Sequence, residues 1–171
     1  MIVHGFNVVE YYQLGKLGIL NKRTELLEGL IIDMGPISPF HASVGDTLAG
    51  QFFAQAQSRY RLCVHSSIDL GSHSLPQPDL VLCRSARYRD RHPSPPDVFL
   101  LIEISDTSLD VDLGQKLNLY KASGIPEYWV IDLGAQCVHR FCAPDYEHQR
   151  LADGISPASW PDIKINLGEL R

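Results

Sequence analysis

The spacing of apolar positions changes along the chain, and each change marks an element. Val8, Tyr11 and Tyr12 make one face of a helix predicted over Asn7 to Leu14, with Asn7 placed to cap it, Glu10 at the third helical position, and Gly15 and Gly18 to end it. The string TELLEGLIIDM splits into two short apolar pieces around Glu28-Gly29, the pattern of a hairpin or a bent strand. After Pro36 and Pro39, the residues Val44, Leu48, Phe52 and Ala56 recur at helical spacing and predict a long helix, about His41 to Tyr60, packed on a sheet. Leu62 to Leu70 alternates loosely, as a strand does. Leu80 to Cys83 and Val98 to Ile104 are instead apolar on both alternating faces, which is the pattern of central strands covered on both sides.

The polar run Ser105-Asp106-Thr107-Ser108 leaves the second of these strands, and Asp112 begins a helix carrying Leu113, Lys116, Leu117, Leu119 and Tyr120. Gly124 suits the left-handed position that closes such a helix, and Pro126 stops its continuation. EYWVID follows as another buried strand, so the order strand, helix, strand predicts a parallel crossover unit and an α/β class. Cys137 to Cys142 adds an antiparallel strand. The tail, with Pro144, Pro157 and Pro161, reads as loop with a short closing piece near Ile163 to Leu167.

Size and composition narrow the picture. A chain of 171 residues suits one domain over 1–171, and 44% hydrophobic with 20% charged residues is ordinary for a globular protein. No window approaches the ~18 uninterrupted apolar residues of a membrane span. The amino terminus lacks a charged segment followed by an apolar core, so a cytoplasmic protein without a membrane partner is expected. Cys63, Cys83, Cys137 and Cys142 show no CxxC spacing, and Cys83 and Cys137 lie in or beside apolar runs; reduced, mostly buried thiols are expected rather than disulfides or a zinc site. A net charge of −5 argues against non-specific coating of nucleic acid, which neutralising cations drive, but not against a nuclease with local positive charge.

Candidate chemistry centres on Glu103, the one charged residue in the run from Val98 to Ile104. An ionised carboxylate at the end of a buried strand costs several kcal/mol unless a cation or hydrogen-bond donors compensate it. Asp79 stands in the same position relative to Leu80-Val81-Leu82-Cys83, so neighbouring strands would bring the two carboxylates together. Such a pair suits Mg²⁺ or Mn²⁺, and equally a capping Asp beside a structurally ion-paired Glu. Between the two strands Arg84, Arg87, Arg89 and Arg91 crowd one loop with Tyr88 and His92, either as phosphate contacts or as a solvated loop balancing acidic neighbours. His41, at a helix start that favours anions, reads as a surface or capping residue before a catalyst. Asp112 and Lys116, four apart, share a helix face, either as an ordinary surface ion pair or, as Leu113, Leu117 and Tyr120 beside them favour, turned inward with Lys116 toward Glu103.

The strings ELLEG, MGPISPFHA, PQPDLVL, LLIEISDTSL, the Asp112 to Lys116 helix and LYKASGIPEYWVID occur in an order and spacing that resembles the Uma-two family of bacterial endonucleases, within the restriction-endonuclease-like PD-(D/E)xK superfamily. The resemblance covers nearly the whole chain. It implies a single nuclease-like domain with a mixed central β-sheet flanked by α-helices. It also implies Asp79 and Glu103 as ligands of Mg²⁺ or Mn²⁺ with the backbone carbonyl of Ile104 as a third. The superfamily places a Lys two positions after the Glu, where this chain has Ser105; the Uma-like pattern carries the amine on the following helix, which matches Lys116. Glu25, Gln77, Ser105 and Asp112 fall at accessory positions. The chain departs from the pattern at Leu30, where relatives have a Glu, and at Val111 and Leu113, which replace a Tyr and an Arg.

The implied activity is metal-dependent hydrolysis of DNA by an endonuclease, with a homodimer suited to cutting both strands. The competing function is a catalytically inactive nuclease fold acting as an interaction or regulatory module. A serine hydrolase is disfavoured, because no GxSxG elbow is present.

Overall fold

The computed structural model describes residues 4–170. Helix α1 (Val8–Lys16) starts as the sequence predicts: the Asn7 side chain accepts from Glu10 N at 3.0 Å and Glu10 returns the bond to Asn7 N at 2.9 Å, a reciprocal capping box. Strands β1 (Thr24–Leu27) and β2 (Leu30–Asp33) form a hairpin, with Glu28 and Gly29 both at positive φ, 50° and 82°. Two such residues give the tight turn whose twist matches paired strands. A side chain at position 29 would also meet Gly5 Cα at 2.9 Å.

A six-stranded sheet in the order β3-β4-β5-β6-β7-β8 forms the centre. Its strands are β3 (Arg61–Val64), β4 (Leu80–Cys83), β5 (Val98–Ser105), β6 (Glu127–Asp132), β7 (Cys137–Cys142) and β8 (Glu147–Leu151). Only the β5–β6 pair is parallel; the other pairs run antiparallel, so the sheet is mixed. Helix α2 (Pro39–Gln55) covers one face through Val44, Leu48 and Phe52, which pack against Leu80, Leu82, Leu100, Ile102 and Trp129. On the other face Val81, Leu101, Tyr128 and Val130 pack against Tyr120, Ile125 and Ile68. Both faces being covered is why β4, β5 and β6 carry no polar alternation.

Differences from the sequence reading have local causes. Helix α2 begins earlier, because Ser38 caps it by accepting from His41 N at 3.1 Å and Pro39 needs no amide partner in the first turn; it ends at Gln55 rather than Tyr60, just before Gln57 and Ser58 take positive φ. Strand β3 stops at Val64, where His65 turns the chain at φ 47°. The helix expected from Asp112 starts at Leu109: a short turn, α3 (Leu109–Val111), leads into a π-helical turn (Asp112–Lys116) and then α4 (Leu117–Ala122). Gly124 does take the left-handed conformation, φ 74°. The tail holds more strand than expected, namely β8 and a small pair, β9 (Gly154–Ile155) with β10 (Ile165–Asn166). No helix among the described residues is long and apolar enough to cross a membrane.

Candidate active site at the ends of β4 and β5

Antiparallel pairing of β4 with β5 sets Leu80 opposite Ile102, so Asp79, one residue before β4, meets the end of β5. Its Oδ2 accepts from the Ile104 N–H at 2.7 Å and lies 3.2 Å from His41 Nε2, while Oδ1 lies 3.4 Å from His65 Nδ1. Burial opposes ionisation of Asp79, but the bonds from His41, His65 and Ile104 outweigh it and hold the carboxyl below its ordinary range. The same contact raises the His41 pKa, chiefly through its bond to Asp79 and against the opposing effect of burial. His41 is therefore more than a capping residue: the α2 amino terminus aims it at the strand ends.

Beside this pair lies a buried charge cluster. Glu103, 4% exposed, accepts at Oε1 from Lys116 Nζ at 3.1 Å and from Tyr120 OH at 2.8 Å. Lys116, 3% exposed, also reaches Glu25 Oε1 at 3.2 Å and Oε2 at 3.0 Å, and stands 3.9 Å from Asp112. Glu25 is fully enclosed in β1, where Oε1 takes the Gln77 N–H at 2.6 Å; Oε2 has the nearby ammonium but no well-directed hydrogen bond. Asp112 takes the Ser108 hydroxyl at 2.6 Å, and Ser105, 1% exposed, faces that hydroxyl at 3.4 Å. The π turn keeps Asp112 and Lys116 together on the inward side, both buried. Such turns recur at functional sites.

The electrostatics of the cluster do not balance. Burial works against the Lys116 charge, yet Glu103, Glu25 and Asp112 reverse that penalty and hold its pKa above the ordinary value. Burial pushes Glu103 and Asp112 the other way, toward the neutral form, and in each case the Lys116 charge only partly offsets it. The two tendencies conflict only if every group ionises at once. Three carboxylates face one ammonium, so Lys116 stays charged, and the surplus negative charge calls for a shared proton or another cation.

The sequence pattern places the carboxylates and the amine of this site but does not reveal the parts that His41, His65 and Tyr120 play in it. Asp79, Glu103, Lys116, Glu25, Asp112, Ser105, Ile104 and the Gln77 backbone lie together as described, and the Gln77 side chain donates to His65 O at 2.8 Å. His65 carries no signal beyond its type, because only the sheet brings it to Asp79. Tyr120 reads as one more apolar position of a helix, and its hydroxyl becomes a donor to Glu103 once the helix packs. The arginine loop divides. Arg91 is committed to Asp97, at 2.5 and 3.1 Å, and lies over Tyr88, while Arg84 donates to Pro96 O and lies over Phe99. Arg87 and Arg89 are exposed, and among the described residues their side chains make no hydrogen bond, ion pair or ring contact. A cavity of about 320 Å³, lined by Arg61, His65, Gln77, Tyr88, Arg91 and His92, connects this loop to the Asp79 side of the site.

Comparison with known proteins bears on the family and the fold. The profile of Uma2, described as "Putative restriction endonuclease", matches residues 8–167. Among solved structures, the fold is similar to that of a "putative nuclease belonging to DUF820" from Anabaena variabilis ATCC 29413. The TM-score is 0.69 at 17% identity, and the match covers 92% of this chain and 96% of that one. No curated protein sequence matches the chain.

Proposed function

The chain belongs to the Uma2 family, and from that premise we propose that it is a divalent-metal-dependent endonuclease acting on DNA. One observation carries the proposal: a buried cluster of three carboxylates around one ammonium adjoins Asp79 at the neighbouring strand end, a charge surplus that a divalent cation would relieve. The donor set fits a hard cation. Asp79, Glu103 and the Ile104 carbonyl offer only oxygen, both donors to Glu103 go to Oε1, and no hydrogen bond among the described residues goes to Oε2. Those three groups would hold Mg²⁺ or Mn²⁺, which when bound polarises a phosphoryl oxygen and acidifies a water.

The remaining roles belong to side chains. His41 and His65 keep Asp79 ionised and aimed at the β5 end. Lys116, kept charged by its neighbours, orients the attacking water and stabilises negative charge on the phosphate. Glu25 and Asp112 hold Lys116 in place, and the Gln77 and Ser105 contacts hold those two carboxylates and their surroundings. Arg87 and Arg89 are the phosphate contacts of the loop, whereas Arg84 and Arg91 shape it through their bonds to Pro96 and Asp97. Two copies related by a two-fold axis would address both strands of a duplex.

The test is nicking of plasmid DNA, and cleavage of single strands, with Mg²⁺ or Mn²⁺. Wild type should cut, and Asp79→Asn or Glu103→Gln should not while remaining folded. Absence of cleavage by wild type on every substrate, with no Mn²⁺ uptake, would instead support an interaction module built on an inactive nuclease fold.

A further inference from the structure

A second cluster of ligand-type side chains lies on the same sheet, and the proposed nuclease chemistry does not use it. Asp132 ends β6 and Cys137 begins β7 directly opposite it, while His139 follows two residues on, so all three project from one face. They are 7%, 5% and 9% exposed. Ligand atoms of the three residues lie within 4.8 Å of one another.

The bonds inside the cluster are long and those leading out of it are short. His139 Nε2 stands 3.4 Å from Asp132 Oδ2 and 3.8 Å from Cys137 Sγ. A charge-assisted His–Asp hydrogen bond would close to about 2.8 Å. Outward, Asp132 Oδ1 takes the Ala135 N–H at 2.8 Å, His139 Nδ1 meets His148 Nε2 at 2.8 Å, and Arg150 Nε reaches Cys137 Sγ at 3.0 Å. Each ligand is thus anchored from behind while its inner atom stands off from the others.

Those inner spacings are near the edges of a metal tetrahedron, the Sγ···Nε2 distance being a few tenths of an ångström longer. With Zn–N and Zn–O of about 2.0 Å and Zn–S of about 2.3 Å, tetrahedral edges come to about 3.3 Å for N···O and about 3.5 Å for S···N. If His139 donates from Nδ1 to His148, its Nε2 lone pair faces the Asp132 carboxylate, an arrangement that a cation between them would satisfy. Arg150 offers its charge to the Cys137 sulfur and can keep that N–H···S bond when the thiolate ligates. A thiolate, an imidazole and a carboxylate select Zn²⁺ over Mg²⁺.

We propose that Asp132, Cys137 and His139 bind Zn²⁺ at the β6–β7 turn, with His148 orienting His139 and a fourth position left to water. The site adjoins the carboxylate cluster, since Asp132 pairs with Ser105 across the parallel strands, but its ligands Asp132, Cys137 and His139 include none of Glu103, Lys116 or Asp79.

The experiment uses the full chain, stripped with a chelator, checked for folding by circular dichroism and titrated with Co²⁺ and then Zn²⁺. In wild type about one equivalent of Co²⁺ should give a thiolate-to-cobalt charge-transfer band in the near ultraviolet, apart from any Co²⁺ taken by the Asp79–Glu103 site, and Zn²⁺ should remove the band. Cys137→Ser should lose the band, and Asp79→Asn should keep it. His148→Ala should weaken affinity by roughly 10- to 100-fold, the loss usual for an orienting partner, and His139→Ala by more. Wild-type protein without that band, or a band that persists in Cys137→Ser, overturns the proposal, and neither outcome depends on nuclease activity.

Discussion

The Lys116 cluster and the arginine loop each set cations against carboxylates, and they differ in what surrounds them. Lys116 and its partners have side chains no more than 5% exposed, so nothing but protein, a proton or a bound ion can answer their charges. Arg91 meets Asp97 with its own side chain 57% exposed, and water and salt share the work. A buried surplus of charge is therefore a statement about a ligand, whereas an exposed pair is mostly a statement about a loop's shape. The comparison can be broken by removing one charge at a time.

The largest effect is expected at Lys116. Lys116→Met leaves Glu25, Glu103 and Asp112 buried without their ammonium and should destabilise the fold by ~3–5 kcal/mol in urea denaturation at pH 8. Lys121→Met, an exposed position on α4 with its amine 5.5 Å from the Tyr146 ring, should change little. Equal losses in the two variants would mean that burial does not govern the cluster.

Removing a carboxylate should act in the opposite sense. Glu103→Gln in chelator keeps an acceptor for Tyr120 and lowers the charge surplus, so stability should be unchanged or raised by ~1 kcal/mol, while Mn²⁺ uptake by calorimetry disappears. Metal itself should stabilise wild type, by about 2.7 kcal/mol at 100 times its dissociation constant, and leave Glu103→Gln unaffected. A clear loss of stability in Glu103→Gln would show that its negative charge is needed for the fold.

Acid should weaken the loop pair in a defined window. Arg91 first, then the Ser94 bonds, holds the Asp97 carboxyl below its ordinary 3.8 against the effect of burial. A depressed carboxyl contributes stability that is present above the unfolded value and is lost as pH falls through the folded one. The stability difference between wild type and Asp97→Asn should thus be constant above about pH 5 and shrink steadily below pH 4. A difference independent of pH down to pH 2 would contradict the pairing.

The smallest effects belong to Arg87 and Arg89. Each substitution by Ala should weaken DNA binding in chelator uniformly across sequences and reduce the slope of log affinity against log salt by about 1. Arg84→Ala should leave that slope nearer the wild-type value, since its guanidinium is held by Pro96 O and Phe99.

Much of the architecture was legible because burial writes itself into periodicity. Strands β4, β5 and β6 lie between two hydrophobic layers and need apolar residues on both sides, so their extents were readable, and a lone Glu103 stood out against them. Strand β8 was not readable. Its Glu147–Leu151 sequence is polar and almost wholly exposed, and it is a strand because its backbone pairs with β7, which no side-chain pattern records.

The sequence by itself determined that carboxylates end two buried strands and that an amine lies on the next helix facing inward, because those follow from spacing along single elements. Only the tertiary structure decided which charges meet: that Glu25 crosses from the hairpin to Lys116, that His41 and His65 arrive at Asp79 from α2 and from the turn after β3, and that Asp132, Cys137 and His139 share one face. Those contacts join residues up to 91 positions apart, and their geometry is set by sheet register and helix packing, to which local pattern is blind.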